Sequence, residues 1–594
     1  MTTIRSLLIV LLIAGAGYAR ASQNAQPANH PNPLVGHIRI TGNAALSERS
    51  ILQVMFTKPS HWWKKSRFQP QVFQDDLRSI TTLYNNRGFL DAAIASWDTT
   101  YVSRNRVNIR ITISEGERSR VGNITFQDNQ AVAASQLREL IKIQEGDPFS
   151  FLNLSESTWS IINKYAELGY LDARVDPRID EQNHVIQVLY RIQEGNPVYV
   201  DSVIIRGNEK TKSRVIRREL TMHPGDLLTH QKVVTSQQNL YKTGLFNSVS
   251  ITPLRDSTGS VYDPVVVRLV EARTGEINFG LGYGSLEKIR FSTEILQGNL
   301  LGTGQKIGFQ NRFSFTNIAL EGLYTVPYFF VGGVKLDNTA YYRREMQSNY
   351  TVNRLGIEST LGRQLFQYSR IFSTFRVENN RFSKIEKSSV LDSTGDRIRS
   401  LSLTLNRDTR QNVFNPDRGS FFSLSGLLAG QIFQATDSYV RVVGDYIKYV
   451  PLNTAFKFVT KISAGRLFEI GKTSSVPIYE RFFAGGDYSI RGYKERSVGP
   501  TRNGQPVGGY TRLVLQNEIR FPLYKKLQGA VFLDTGDVWG ESAPIHFSDM
   551  RSGAGIGLLY STPLGLVRVD YGWKIHPRPG EAPARIHFTL GQTL

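Results

Sequence analysis

The chain has 594 residues, enough for several domains of ordinary size. Its 71 Lys+Arg against 51 Asp+Glu leave a net charge of +20, which suits nucleic acid, an anionic membrane surface or solvated basic faces and selects none of them. It contains no cysteine, so disulfides, cysteine zinc sites and thiol nucleophiles are excluded together.

Residues 1–21 read as a secretory signal peptide: Arg5 supplies positive charge, an apolar run covers 7–16, and Ala19-Arg20-Ala21 is a small-x-small cleavage site. Residues 22–34, rich in Asn, Pro and Ala, are a flexible leader. No later run reaches the roughly 18 to 20 apolar residues of a transmembrane helix. A soluble secreted protein or an outer-membrane barrel remains.

Three repeats follow, roughly 80 residues apart. Each opens on an alternating strand that ends in a turn: VGHIRITGN, VGNITFQDN and VDSVIIRGN, with turn asparagines Asn43, Asn129 and Asn208. Each continues through two helical segments to an aromatic-glycine corner (YNNRGFLDA, YAELGYLDA, YKTGLFNSV) and closes on alternating strands such as RVNIRITISEG. There Val107, Ile109, Ile111 and Ile113 share one face. The order strand, helix, helix, strand, strand predicts α+β modules over 35–117, 118–197 and 198–273.

From Gly275 the texture changes to short segments of alternating polarity separated by Gly, Asn, Asp and Pro. In LVRVDYGWK, Val567, Val569, Tyr571 and Trp573 point one way and Arg568, Asp570 and Lys574 the other. Charge on one face suits a watery lumen, and Tyr and Trp near strand ends suit a bilayer girdle. At about 20 residues per strand and turn, 275–594 predicts an antiparallel barrel of about 16 strands, an even number whose closure leaves no unpaired edge in lipid.

Three stretches imitate enzyme signatures. GRLFEIGKT has five rather than four residues between its glycines and no helix pattern after it, so no nucleotide is expected. GAGIG at 553–557 lies inside an alternating strand, where glycine serves close backbone approach. Asp534-Thr535-Gly536 resembles an aspartic protease motif, but that chemistry needs two carboxylates sharing a proton, and DSTG at 256–259 and 392–395 is out of pattern. No HExxH or tight histidine pair occurs among the nine histidines. No cofactor, metal or catalytic residue is expected, and no nucleic-acid partner.

FFAGGDYSIRGY (482–493) lies in a long segment between two strands, and such a loop is usually functional. Gly485, Gly486 and Gly492 let it fold tightly and present Arg491. With the three modules, NEIRFPL, VFLDTGDVW, GAGIGLLYSTPLGLVRVDYG and the terminal RIHFTLG, this loop resembles the outer-membrane barrel-assembly superfamily of POTRA-plus-barrel proteins, BamA and TamA among them. The resemblance covers nearly all of the mature chain.

It implies that Arg491, in Arg491-Gly492-Tyr493, tucks into the barrel and pairs with Glu518 and Asp534. A guanidinium fork suits two carboxylates independently of any family. As a strand, VFLDTGDVW puts Phe532 on the same inward face as Asp534, with no reason visible in the sequence. RIHFTLG fits the family's C-terminal strand signal, with Ile586, Phe588 and Leu590 toward lipid and Gly591 following, although the chain ends in Leu594 rather than an aromatic residue.

The implied function is non-enzymatic: periplasmic modules receive unfolded outer-membrane clients or bind periplasmic or inner-membrane partners, and the barrel assists strand insertion into the outer-membrane bilayer. The barrel step would need a weak seam between GEINFGLGYGS and RIHFTLG, where Gly280, Gly282, Gly284 and Gly591 reduce side-chain packing. Three modules resemble TamA more than five-module BamA. Alternatives are a two-partner-secretion export pore and, more remotely, a barrel-borne aspartic peptidase.

Overall fold

The structure, a computed structural model, describes the chain from Asn32 to Gly591 apart from 61–64, 104, 256–259, 285–286, 331–332, 348–349, 384–394, 414, 454, 472, 474, 542 and 563–564. The expected signal peptide, nearly all of the expected leader and the DSTG at 256–259 lie outside the described residues.

Module 1 runs through strand Leu34–Thr41, helices Glu48–Val54 and Pro70–Asn85, and strands Ala93–Ser103 and Arg106–Ser114. The last strand is central, parallel to the first and antiparallel to the second. Val107, Ile109, Ile111 and Ile113 are buried beneath Phe73, Ile80 and Tyr84 of the longer helix, so the alternation of the strand meets one helix face. Modules 2 and 3 repeat the strand order, with Val185–Gln193 and Tyr262–Glu271 central.

Each turn asparagine donates its Nδ2 three residues on: Asn43 to the Leu46 carbonyl, Asn129 to Val132 and Asn208 to Thr211, all at 2.9 Å. A glutamate ending the central strand then accepts a turn amide: Glu115 from Ala45 (2.9 Å), Glu194 from Ala131 (2.8 Å) and Glu271 from Thr211 (2.6 Å). The amides just beyond the short helix need acceptors too. Asp76 takes Phe56 and Thr57 in module 1, whereas Ser157 takes Lys142 and Ser236 takes Thr221 in the others. The corner tyrosines diverge, since Tyr84 and Tyr165 donate to Glu115 and Glu194 but the exposed Tyr241 accepts from the Val249 amide.

The C-terminal half closes into a barrel of sixteen antiparallel strands, from Gly275–Gly284 to Ala584–Gly591. Val531, Leu533, Ile556, Leu558, Val569, Tyr571 and Trp573 lie on its exposed face, while Asp534, Arg568 and Asp570 are buried inside. This division is what lipid outside and packed polar groups inside require. Along the ring neighbouring strands pair over most of their length, but the first and last pair only at Tyr283–Leu590 and Gly284–Thr589 among the described residues. Across this seam the rings of Tyr283 and Phe588 meet edge-on at 5.2 Å.

Candidate functional site

The segment between strands Lys457–Glu469 and Thr511–Tyr524 folds back into the barrel. Val476, Phe482, Ala484, Ile490, Tyr493 and Val498 form an apolar cluster with Tyr439, Leu467, Val514 and Val538 of the barrel wall. Short bridges Phe482–Gly509 and Ala484–Val498 stiffen it. Gly485 (φ +99°) and Gly486 (φ +103°) turn the chain where an L side chain would be strained.

The structure brings Arg491, Glu518 and Asp534 together, all three buried. Arg491 Nε and Nη2 donate to the two oxygens of Asp534 at 2.7 and 2.8 Å, and its amide donates to the same carboxylate at 3.0 Å. Nη1 reaches Glu518 at 2.7 Å and Asp570 at 3.5 Å. Arg520 and Arg568 also donate to Glu518, and Arg568 Nε to Asp570 at 2.6 Å. Three arginines thus face three carboxylates, so burial strands no net charge, the condition under which a desolvated ion cluster is tolerable.

Phe532 lies beneath this cluster, with the Arg491 guanidinium 3.5 Å from its ring centroid. The inward aromatic is therefore a cation-π floor. Around it the strands are stripped of side chains for the loop: a Cβ on Gly553 would lie 2.0 Å from the Arg491 carbonyl oxygen, and one on Gly555 would lie 2.3 Å from the Phe532 ring. The glycines of GAGIG give close approach, as their strand setting predicts.

Gly492 (φ +93°) donates its amide to His587 Nε2 at 2.9 Å, and His587 Nδ1 is bonded to Asp487. Because Nε2 accepts, the proton is assigned to Nδ1 and directed at the carboxylate. Tyr493 donates to the Ser552 carbonyl at 3.2 Å, between Lys574 and Arg551, which lie 4.9 and 5.2 Å from its ring. Ile586 is exposed, and Phe588 and Leu590 are half-buried on the same outward face.

A second foothold lies across the lumen. Glu480, in the short helix Ile478–Glu480, is buried and paired with Arg376 at 3.1 Å and Arg441 at 3.6 Å. Tyr479 bonds Asp396, and Arg354 lies 4.9 Å from the Tyr479 ring.

Sequence reasoning named three members of the ion cluster and missed the rest. Asp570 and Arg568 were legible as inward by alternation. His587 was too, since it sits between outward Ile586 and Phe588, but a lone histidine gives no sign of a loop amide above it. Glu480 carried no periodic signal. No group of residues suited to a metal occurs among the described residues, and none of their helices is long and apolar enough to cross a membrane.

The Omp85 superfamily domain matches residues 299–594, and the POTRA surface antigen variable number repeat matches 33–116, 119–195 and 198–272. Outer membrane protein assembly factor BamA of Nitratidesulfovibrio vulgaris is 24% identical over 600 residues, covering 97% of this chain and 75% of that protein. BamA of Neisseria meningitidis is 24% identical over 625 residues, covering 94% and 78%. The crystal structure of Haemophilus ducreyi BamA lacking POTRA domains 1–3 is similar in fold, with TM-score 0.72 at 23% identity over 80% of this chain and 99% of that one.

Proposed function

The chain belongs to the BamA/TamA-like outer-membrane barrel-assembly superfamily, an Omp85 domain preceded by three POTRA repeats, and from that premise we propose how its residues serve assembly. It is an outer-membrane barrel with periplasmic modules, and its function is the assembly and insertion of outer-membrane proteins. The export-pore alternative is not favoured, since relatives matched along nearly the whole chain are named assembly factors.

The observation that carries the mechanism is the seam, paired only at Tyr283–Leu590 and Gly284–Thr589. The first strand leaves Gly275–Gly282 without partners on that side among the described residues, so a client strand can add there with main-chain hydrogen bonds and little demand on its sequence. The modules present clients or periplasmic partners at their sheet edges, such as Ala93–Ser103 in module 1. Folding of the client and burial of its apolar face in lipid drive the step without a nucleotide. The Arg491-Gly492-Tyr493 loop acts as a latch on Glu518 and Asp534, and through His587 it grips the seam strand itself. Asp534 therefore serves as an acceptor for Arg491 and not as a peptidase acid.

Because the native chain lacks cysteine, Tyr283→Cys with Leu590→Cys tests the seam directly. Oxidation should abolish insertion of a client barrel into liposomes and reduction should restore it. Equal insertion rates in the oxidised and reduced states would sink the seam mechanism.

A further inference from the structure

The joints between consecutive modules follow one plan. The carbonyl of the corner glycine in the upstream module accepts a linker amide: Gly88 from Ser119 at 2.6 Å, Gly169 from Val198 at 3.0 Å. The hairpin joining the last two strands of the downstream module closes against the same linker, His184 accepting from the Arg120 amide at 2.8 Å and Val261 from Tyr199 at 2.7 Å. In both joints an aspartate three residues beyond the corner glycine, Asp91 or Asp172, faces a cationic or ionisable side chain from that hairpin.

That side chain is what differs. At the second joint it is Arg255, whose Nε donates to Asp172 at 2.7 Å, Nη1 to Asp263 at 2.7 Å and Nη2 to the Asn196 carbonyl at 3.2 Å. A guanidinium holds these contacts at any physiological pH. At the first joint it is His184, with Asp91 of module 1 at 3.6 Å, Glu117 of the linker at 3.5 Å and Glu181 of its own hairpin at 3.9 Å. Its Nδ1 is shielded and has no hydrogen-bond partner.

The remaining polar side chains of the linker have partners of their own. Arg118 donates to the Arg87 carbonyl and lies over Phe89, Arg120 donates to the Gly146 carbonyl, and the Ser119 hydroxyl bonds Glu181. Three carboxylates thus converge on one imidazole, which can donate from both nitrogens only when protonated.

We propose that His184 makes the joint between modules 1 and 2 a proton-sensitive elbow, whereas Arg255 holds the joint between modules 2 and 3 in place permanently. Protonated, His184 bridges module 1, the linker and module 2 as Arg255 bridges its own neighbours. Neutral, it leaves Asp91, Glu117 and Glu181 to repel one another, and module 1 sweeps a wider arc. Asp91 and Glu117 are largely exposed and Glu181 partly so, and added salt therefore weakens the effect.

The test uses the full-length protein in detergent, with spin labels on Gln74→Cys and Asn163→Cys across the first joint or on Asn163→Cys and Gln231→Cys across the second. Pulsed dipolar distances are measured at low salt at about pH 5 and at about pH 8. The first-joint distribution should be narrow in acid and broader at the higher pH, while the second-joint distribution stays unchanged. His184→Arg should be narrow at both pH values and His184→Gln broad at both, with the second-joint pair reporting an intact fold in each. Wild-type first-joint distributions that coincide at the two pH values overturn the proposal. So does a pH response that persists in His184→Gln.

Discussion

Arg491 holds both carboxylate oxygens of Asp534 while its guanidinium rests 3.5 Å from the Phe532 ring centroid, so one loop residue is gripped from its edge and its face. Removing Arg491 strands the buried Asp534, at a cost of about 3 to 5 kcal/mol, whereas removing Asp534 leaves Arg491 to Glu518 and Asp570 with one positive charge in excess. Arg491→Ala and Asp534→Asn should each lower the temperature at which the folded barrel is lost on a semi-native gel. The double variant should lose less than the sum, because no stranded charge is left from that pair. Wild-type heat resistance in both single variants would contradict a latch. Phe532→Leu should show a smaller loss, about 0.5 to 2 kcal/mol, from the missing cation-π contact.

The glycine floor makes a steric prediction. With a Cβ placed 2.0 Å from the Arg491 carbonyl oxygen, Gly553→Ala should push the loop out of its seat without altering any charge. Limited proteolysis should then cut between 482 and 498 faster than in the wild type. Gly426→Ala, where a Cβ meets nothing within 4 Å, is the control expected to behave as wild type.

Glu480 supplies the far foothold, and Glu480→Gln should leave Arg376 and Arg441 with a weaker acceptor. The expected result is a lower unfolding temperature that Arg376→Gln does not lower much further in the double variant, the sign of a shared interaction. Additive losses would mean that the two residues act separately.

His587 ties the loop to the seam strand. His587→Leu removes the acceptor for the Gly492 amide and should loosen the strand that closes the seam. The disulfide yield between Tyr283→Cys and Leu590→Cys should therefore fall, while His587→Asn, which keeps an acceptor, should retain more of it. Equal yields in the two variants would show that the hydrogen bond does not reach the seam.

Glu271 predicts a pH dependence in module 3. Burial works to raise its carboxyl, but the Thr211 hydroxyl, the Thr211 and Lys210 amides and the Lys210 charge hold it below the ordinary carboxylate value. A depressed folded value stabilises the turn above the unfolded carboxylate range, and that stability is lost as pH falls through the folded value. Amide-exchange protection at Lys210 and Thr211, corrected for intrinsic rates, should fall with acid in the wild type. In Glu271→Gln it should be lower and insensitive to pH.

Much of this architecture was legible because its periods are local. Val107 to Ile113 alternate as they must to pack under a helix, and Val567 to Lys574 alternate as they must between lipid and lumen. The asparagine turns and aromatic-glycine corners mark each module, and the strand count follows from the length of 275–594. The ion cluster was legible only in part. Arg491, Glu518 and Asp534 stood out only through the resemblance to the barrel-assembly superfamily, and Arg520, Asp487, His587 and Glu480 looked like ordinary polar residues of strands and loop.

The sequence by itself determined the three α+β modules, the antiparallel barrel, the strand faces and the glycine-bearing loop, because burial and backbone conformation leave their marks within a few residues. Only the tertiary structure decided who meets whom. Closure of the barrel brings Glu518, Asp534, Asp570 and His587 from four strands to one loop, gives Phe532 an inward partner in Arg491, and leaves the first and last strands joined at Tyr283–Leu590 and Gly284–Thr589. These are long-range relations set by register and ring closure, and no local period encodes them.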